Sequence, residues 1–166
     1  MVVPDLGDEE PAMTAPTADT TDPGKDPGGL GRRVLDEQVA AINAHDIAVF
    51  ASFYAEDAVV VDPQYPEPLR GRAAIERDIA DFLRAFPDLG MEVTSTVVDG
   101  PVTAVEATLT GTHDGPLALP TGEVPATGRR LRFPMAFFDR LDEEGLIVEA
   151  RRYHDLATQQ EQLGLS

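Results

Sequence analysis

Cysteine is absent from the 166-residue sequence, which excludes disulfides, thiol nucleophiles and thiolate metal sites together and points to a reducing compartment. Basic residues are scarce, with 13 Lys and Arg against 30 Asp and Glu and a net charge of −17. A nucleic-acid partner needs a basic face to neutralise phosphate, so this balance argues against DNA or RNA and fits a role in solubility. No apolar run is long enough to span a bilayer, and no basic start leads into a hydrophobic stretch. Neither a membrane anchor nor a secretory segment is expected, and the cytoplasm is the expected location. The three histidines lie on separate elements without ligand spacing, and no Gly-rich phosphate loop, nucleophile elbow or dinucleotide fingerprint occurs. No metal or cofactor is expected.

What is present suffices for one domain. A hydrophobic content of 42% over this length supports a single core. Residues 1–31 repeat Pro, Gly, Thr and acidic residues without apolar periodicity and are expected to form a disordered acidic tail, leaving residues 32–166 as the folded unit. Val34, Leu35, Val39, Ala41 and Ile42 recur at helical spacing, and Ile47, Val49, Phe50 and Phe53 continue in a second helix reaching Tyr54. A short strand at residues 58–61 ends in Asp62-Pro63, and three prolines keep residues 64–70 irregular. Gly71-Arg72 opens a third helix whose Ile75, Ile79, Phe82, Leu83 and Phe86 share a face, and Pro87 stops it. Strands then follow at 91–98, 102–113, 131–141 and 146–155, with a long Gly/Pro loop at 114–127 and a short terminal helix at 157–165. Helices first and strands second predict an α+β fold: a curved antiparallel sheet wrapped over N-terminal helices, enclosing a pocket.

The last strand carries the strongest functional signal. Glu149, Arg151, Tyr153 and Asp155 stand two residues apart, so one face is almost wholly polar, while Val148, Ala150, Arg152 and His154 share the other. The polar face is taken as the one that lines the site, and His154 is then expected on the outer surface or a dimer contact.

Several ordered motifs resemble one family: Phe53-Tyr54-Ala55-Glu56-Asp57-Ala58, Val61-Asp62-Pro63, Pro68-Leu69-Arg70-Gly71-Arg72-Ala73-Ala74-Ile75, Phe86-Pro87-Asp88-Leu89, Gly111-Thr112-His113-Asp114-Gly115-Pro116-Leu117, Pro125-Ala126-Thr127-Gly128-Arg129 and Tyr153-His154-Asp155 before Gln162-Leu163-Gly164. The chain resembles a SnoaL-like polyketide cyclase domain, a branch of the nuclear-transport-factor-like superfamily that includes ketosteroid isomerase. The resemblance implies a cone-shaped α+β fold, no cofactor, a homodimer through the outer sheet face, and an apolar, carbonyl-rich small molecule as partner. It also implies enolisation and intramolecular aldol-type ring closure, or a related isomerisation, with an acid on the last strand as general acid/base. Asp155 best matches that position, and it could equally make a structural hydrogen bond to the chain end. The strand before it, Phe133-Pro134-Met135-Ala136-Phe137-Phe138, lacks the histidine that some cyclases pair with their acid.

His113, beside two glycines at a strand end, is the second catalytic candidate, able to donate to an enolate oxygen or to anchor a turn. Tyr54, Asp62, Glu149, Arg151, Tyr153 and Phe137 are candidate substrate-binding residues. Glu149 and Arg151 could equally form a structural ion pair, Tyr54 could be helix core, and Asp62 could begin a turn. Two further readings stay open: a non-catalytic dimer that binds a small molecule in the same pocket, and an interaction module that recruits a partner through its acidic tail.

Overall fold

The computed structural model describes residues 27–165. Most of the expected acidic tail lies outside the described residues, and its last residues are helical. Helix α1 (Pro27–Asn43) starts ahead of the expected boundary because Leu30 packs against Gly145, and because Gly31, without a Cβ, fits tightly against Thr103 and Val98. A short helix α2 (Ile47–Ser52) follows, its first turn closed by Asp46 Oδ1 accepting the Val49 N–H at 3.0 Å. The chain then enters strand β1 (Tyr54–Val61), so Tyr54 opens a strand and does not end a helix. After β2 (Leu69–Arg70), helix α3 (Arg72–Ala85) buries Ile75, Ile79 and Leu83 on the expected face.

Long strands β3 (Gly90–Asp99) and β4 (Val102–Thr112) come next. Inside the stretch expected to be an irregular loop, β5 (Leu117–Leu119) and β6 (Gly122–Val124) form a small hairpin. It is pinned to the end of α3, where Asp114 N–H and Gly115 N–H both donate to the Ala85 carbonyl at 3.1 Å. Any side chain at Gly115 would overlap the Arg84 carbonyl oxygen, so glycine is required for this approach. The chain closes with β7 (Arg130–Leu141), β8 (Ile147–His154) and α4 (Leu156–Leu163).

The main sheet runs β2-β1-β8-β7-β4-β3. The β3-β4-β7-β8 part is the expected antiparallel meander, but β1 pairs with β8 in parallel. Only short hairpin links force neighbours to be antiparallel, and β1 and β8 are separated by most of the domain. Register shifts in β1, β3 and β8 increase local twist and help curl the sheet. Its concave face, together with α1, α2 and α3, encloses the core. Opposite the end of β8, β7 has unpaired backbone groups, and Gln162 on α4 supplies both bonds: Oε1 accepts from Arg132 N at 2.8 Å and Nε2 donates to Arg132 O at 2.9 Å. That clasp seats α4 over the open end of the cone.

Candidate active site

Register fixes which side chains meet on the concave face. On β7, Leu131, Phe133, Met135 and Phe137 point inward, and Asp139 continues the row. Asp139 pairs with Ala150 on β8 and Thr103 on β4, while Phe137 pairs with Arg152 and Met135 with His154. Val60 of β1 lies beside Ala150, so Asp62, two residues on, reaches the same level as Arg152. These side chains meet at a cavity whose empty volume, open mouth included, is about 970 Å³. Its walls are mostly apolar, from Val39, Ile42, Phe50, Phe133 and Phe137 among others, with the polar groups gathered on one side.

Arg152 is the hub of that polar group. Its Nη1 donates to Asp78 Oδ2 at 2.9 Å and to Asp62 Oδ2 at 3.3 Å. Asp78 in turn accepts from the Tyr65 hydroxyl at 2.6 Å, which ties the 64–70 loop to α3. Burial works against the Arg152 charge, but Asp78, Tyr54 and Asp62 outweigh it and raise its pKa, so Arg152 stays charged. The Arg152 guanidinium also lies close to the Tyr54 hydroxyl, where its charge and hydrogen bonding oppose the rise of the Tyr54 pKa. Burial alone would raise the Asp62 pKa, yet hydrogen bonding from His154 and the Arg152 charge hold it below the usual carboxylate range. Gln159 Nε2 donates to His154 Nδ1 at 2.7 Å, which leaves the ring proton on Nε2, 3.0 Å from Asp62 Oδ1.

Asp139 differs from its neighbours. It is 4% exposed, lines the cavity and makes no hydrogen bond among the described residues. Burial pushes its pKa up to about 7, with the nearby Arg152 charge only partly opposing the rise. Tyr54, 2% exposed, accepts from Gln38 Nε2 at 3.1 Å, so its own hydroxyl proton remains free to donate into the cavity. Its pKa is raised by burial and by Asp139, which keeps the phenol protonated. A buried cation, a neutral phenol and a half-ionised carboxyl thus face one apolar space, a combination suited to moving protons at a carbonyl compound.

Three of the residues singled out from sequence, Tyr54, Asp62 and Phe137, line the cavity. The others do not. Glu149, Arg151 and Tyr153 lie on the convex face, where Glu149 joins Arg151 at 2.7 Å and Arg140 at 3.2 Å in an exposed ion-pair group. Asp155 lies outside the cavity and caps α4, accepting from Ala157 N at 2.9 Å and from Thr158 Oγ1 at 2.7 Å; the Thr158 bonds, first of all, lower its pKa. The alternation along β8 is as expected, but the inside and outside are exchanged, and His154 lines the cavity. His113 is fully buried behind it, stacked on Phe86 with ring centroids 5.3 Å apart and its Nδ1 bonded to Thr127 Oγ1 at 3.0 Å. Burial lowers its pKa, and it anchors the 124–129 segment without reaching the cavity.

Asp139, Arg152, His154, Asp78 and Gln159 were not picked out from sequence. Two signals mark three of them: Asp139 falls on the apolar parity of β7, and Arg152 and His154 share parity with Val148 and Ala150 on β8. Among the described residues, no group of three metal-ligating side chains comes together, and no helix is long and apolar enough to cross a membrane.

Comparison with known proteins places this geometry in context. A family model described as the SnoaL-like domain matches residues 35–150. AclR from Streptomyces galilaeus, described as a candidate hydroxylase, has a TM-score of 0.69 at 26% identity, covering 82% of this chain and 97% of AclR. IdmH from Streptomyces antibioticus, described as a candidate polyketide cyclase, has a TM-score of 0.64 at 27% identity, covering 81% of this chain and 98% of IdmH. TsrD from Streptomyces laurentii shares the fold with a TM-score of 0.70 at 21% identity, covering 83% of this chain and 97% of TsrD.

The Asp62 ion pair makes a stability prediction. Because its folded pKa lies below the ordinary value, its contribution is fully present above about pH 4 and is lost as pH falls through the folded value. Asp62→Asn should cost on the order of 3 kcal/mol at pH 7 and less at pH 3, measured by urea unfolding. An equal cost at both pH values would contradict the ion pair.

Proposed function

The chain belongs to the SnoaL-like domain family, and from that footing we propose a cytoplasmic, cyclase-like enzyme that enolises an apolar carbonyl compound, with Asp139 as general acid/base. The observation that carries this reading is the Asp139 carboxyl itself: buried, without a hydrogen bond, and facing a largely apolar cavity beside Arg152. A base is most effective when its pKa lies near the working pH, and about 7 meets that condition. The ligand carbonyl oxygen accepts from the Tyr54 hydroxyl and the Arg152 guanidinium, which hold the negative charge as it develops. Asp139 takes the proton from the adjacent carbon. In a ring closure the resulting enolate carbon bonds to a second carbonyl carbon, and the alkoxide formed there takes the proton back from Asp139. The sum is an isomerisation that consumes no co-reactant. Asp62 and Asp78 position Arg152, and His154 with Gln159 holds Asp62.

This reading moves the acid/base role from Asp155 to Asp139, one strand away and on the opposite face of the sheet. Solvent-hydrogen exchange at the α-carbon of 2-tetralone in D2O, followed by NMR, tests it. The rate should rise with pH through about 7, as expected of a base that acts when ionised. Asp139→Asn should lower it by about 10²-fold or more, and Asp155→Asn, which keeps the helix cap, should leave it unchanged. Full exchange activity in Asp139→Asn would refute Asp139 as the base, and a wild type without exchange activity would leave the binding-protein reading.

The protein works as a homodimer across the convex face of its sheet. Cross-strand neighbours Val61, Arg151, Phe138, Ala104 and Val97 form a row there, in which Phe138 is 44% and Val97 63% exposed. Tyr153 packs edge-on against Phe138 at 6.0 Å and widens the apolar patch. Sedimentation equilibrium should give twice the chain mass for the wild type and the single-chain mass for Phe138→Glu. A monomeric wild type would refute the assembly.

A further inference from the structure

A second cavity adjoins the first. Its empty volume is about 840 Å³, open mouth included, and it lies between the β5-β6 hairpin, α3 and α4. Gln64, Phe82, Leu117 and Gln159 line both spaces, so these four side chains form the boundary between two adjacent chambers. Their chemistry differs sharply. The inner chamber holds Asp62, Asp78, Asp139 and Arg152, whereas no ionisable side chain lines the outer one, whose walls include Leu119, Pro120, Leu131, Leu156, Leu163 and Leu165.

We propose that the outer chamber is a binding subsite for the apolar body of the same ligand, so that the substrate is an elongated, uncharged molecule with its reacting carbonyl in the inner chamber. This rests on the carbonyl reading of the inner site. A boundary made only of side chains, which can turn aside without moving the backbone, is what commits the outer space to one ligand spanning both. An apolar chamber without charge rewards every methylene it removes from water and offers nothing to a phosphate or carboxylate. The inner chamber also discourages an anion, because its single Arg is already shared by two carboxylates. The hairpin and α4 set the length the chamber accepts. The hairpin is fixed by Gly115 against α3, with Arg84 bonded to Glu123 at 3.1 Å, and α4 is held by the Gln162 clasp on β7.

Isothermal titration of the full chain with phenyl alkyl ketones, from acetophenone to octanophenone, reads the proposal. Affinity should increase by about threefold to fourfold per methylene once the chain extends past Gln64, Phe82, Leu117 and Gln159. Leu119→Gln on the hairpin and, independently, Leu156→Gln on α4 should flatten that increase for the long ketones and leave acetophenone affinity unchanged. Affinity independent of chain length in the wild type would give the outer chamber to some other occupant, a second copy of the chain included, and overturn the proposal. So would an increment that both variants retain, or the absence of binding by every ketone. Failure of the acid/base reading looks different: Asp139→Asn then leaves α-hydrogen exchange intact while the chain-length increment persists.

Discussion

Arg152 is the charge around which the interior is organised. A guanidinium cannot give up its proton to escape burial, so a chain that turns one toward its core must bring carboxylates to meet it. Asp62 arrives from the end of β1 and Asp78 from α3, so one ion-pair group joins the sheet edge to the helix that covers it. The 64–70 loop is drawn in through Tyr65, and His154 and Gln159 complete the shell around Asp62. Removing any one of these groups leaves a buried charge or polar atom without its partner.

The same arrangement explains why the Asp139 pKa is raised while that of Asp62 is lowered. Asp62 and Asp78 are close enough to Arg152 to share its proton donors, and Asp139 is not. Distance turns three similar residues into two structural carboxylates and one whose burial is only partly compensated, raised to about 7. Tyr54, Arg152 and Asp139 come from different strands, β1, β8 and β7, and all three line one cavity. The apolar walls raise the value of each charge that develops there.

Much of this was legible in the sequence. Apolar spacing located α3 and the long strands closely, and alternation on β8 separated Glu149, Arg151 and Tyr153 from Arg152 and His154 as observed. What alternation cannot supply is the sign. A strand with polar residues on both faces gives two assignments, and an ion pair buried at one end makes the functional face look half apolar while the convex face carries the richer run of charge. Val148 and Ala150 were the tiebreakers. Asp139 was hidden differently, as one acid at the end of a hydrophobic row. Asp155 looked like a site residue because a helix cap and a strand terminus use the same residue types. The parallel β1-β8 pair and the β5-β6 hairpin depend on long-range closure of the cone, to which local periodicity is blind.

The central claim is that Asp139 is an uncompensated buried carboxyl in the cavity. Carbon-13 NMR titration of the side-chain carboxyl, assigned by comparison with Asp139→Asn, measures this directly. The account predicts a midpoint near 7, well above that of Asp62 in the same spectra. A midpoint near 4, the ordinary carboxylate value, would mean that Asp139 is solvated or paired, and would contradict the assignment of this residue as the base.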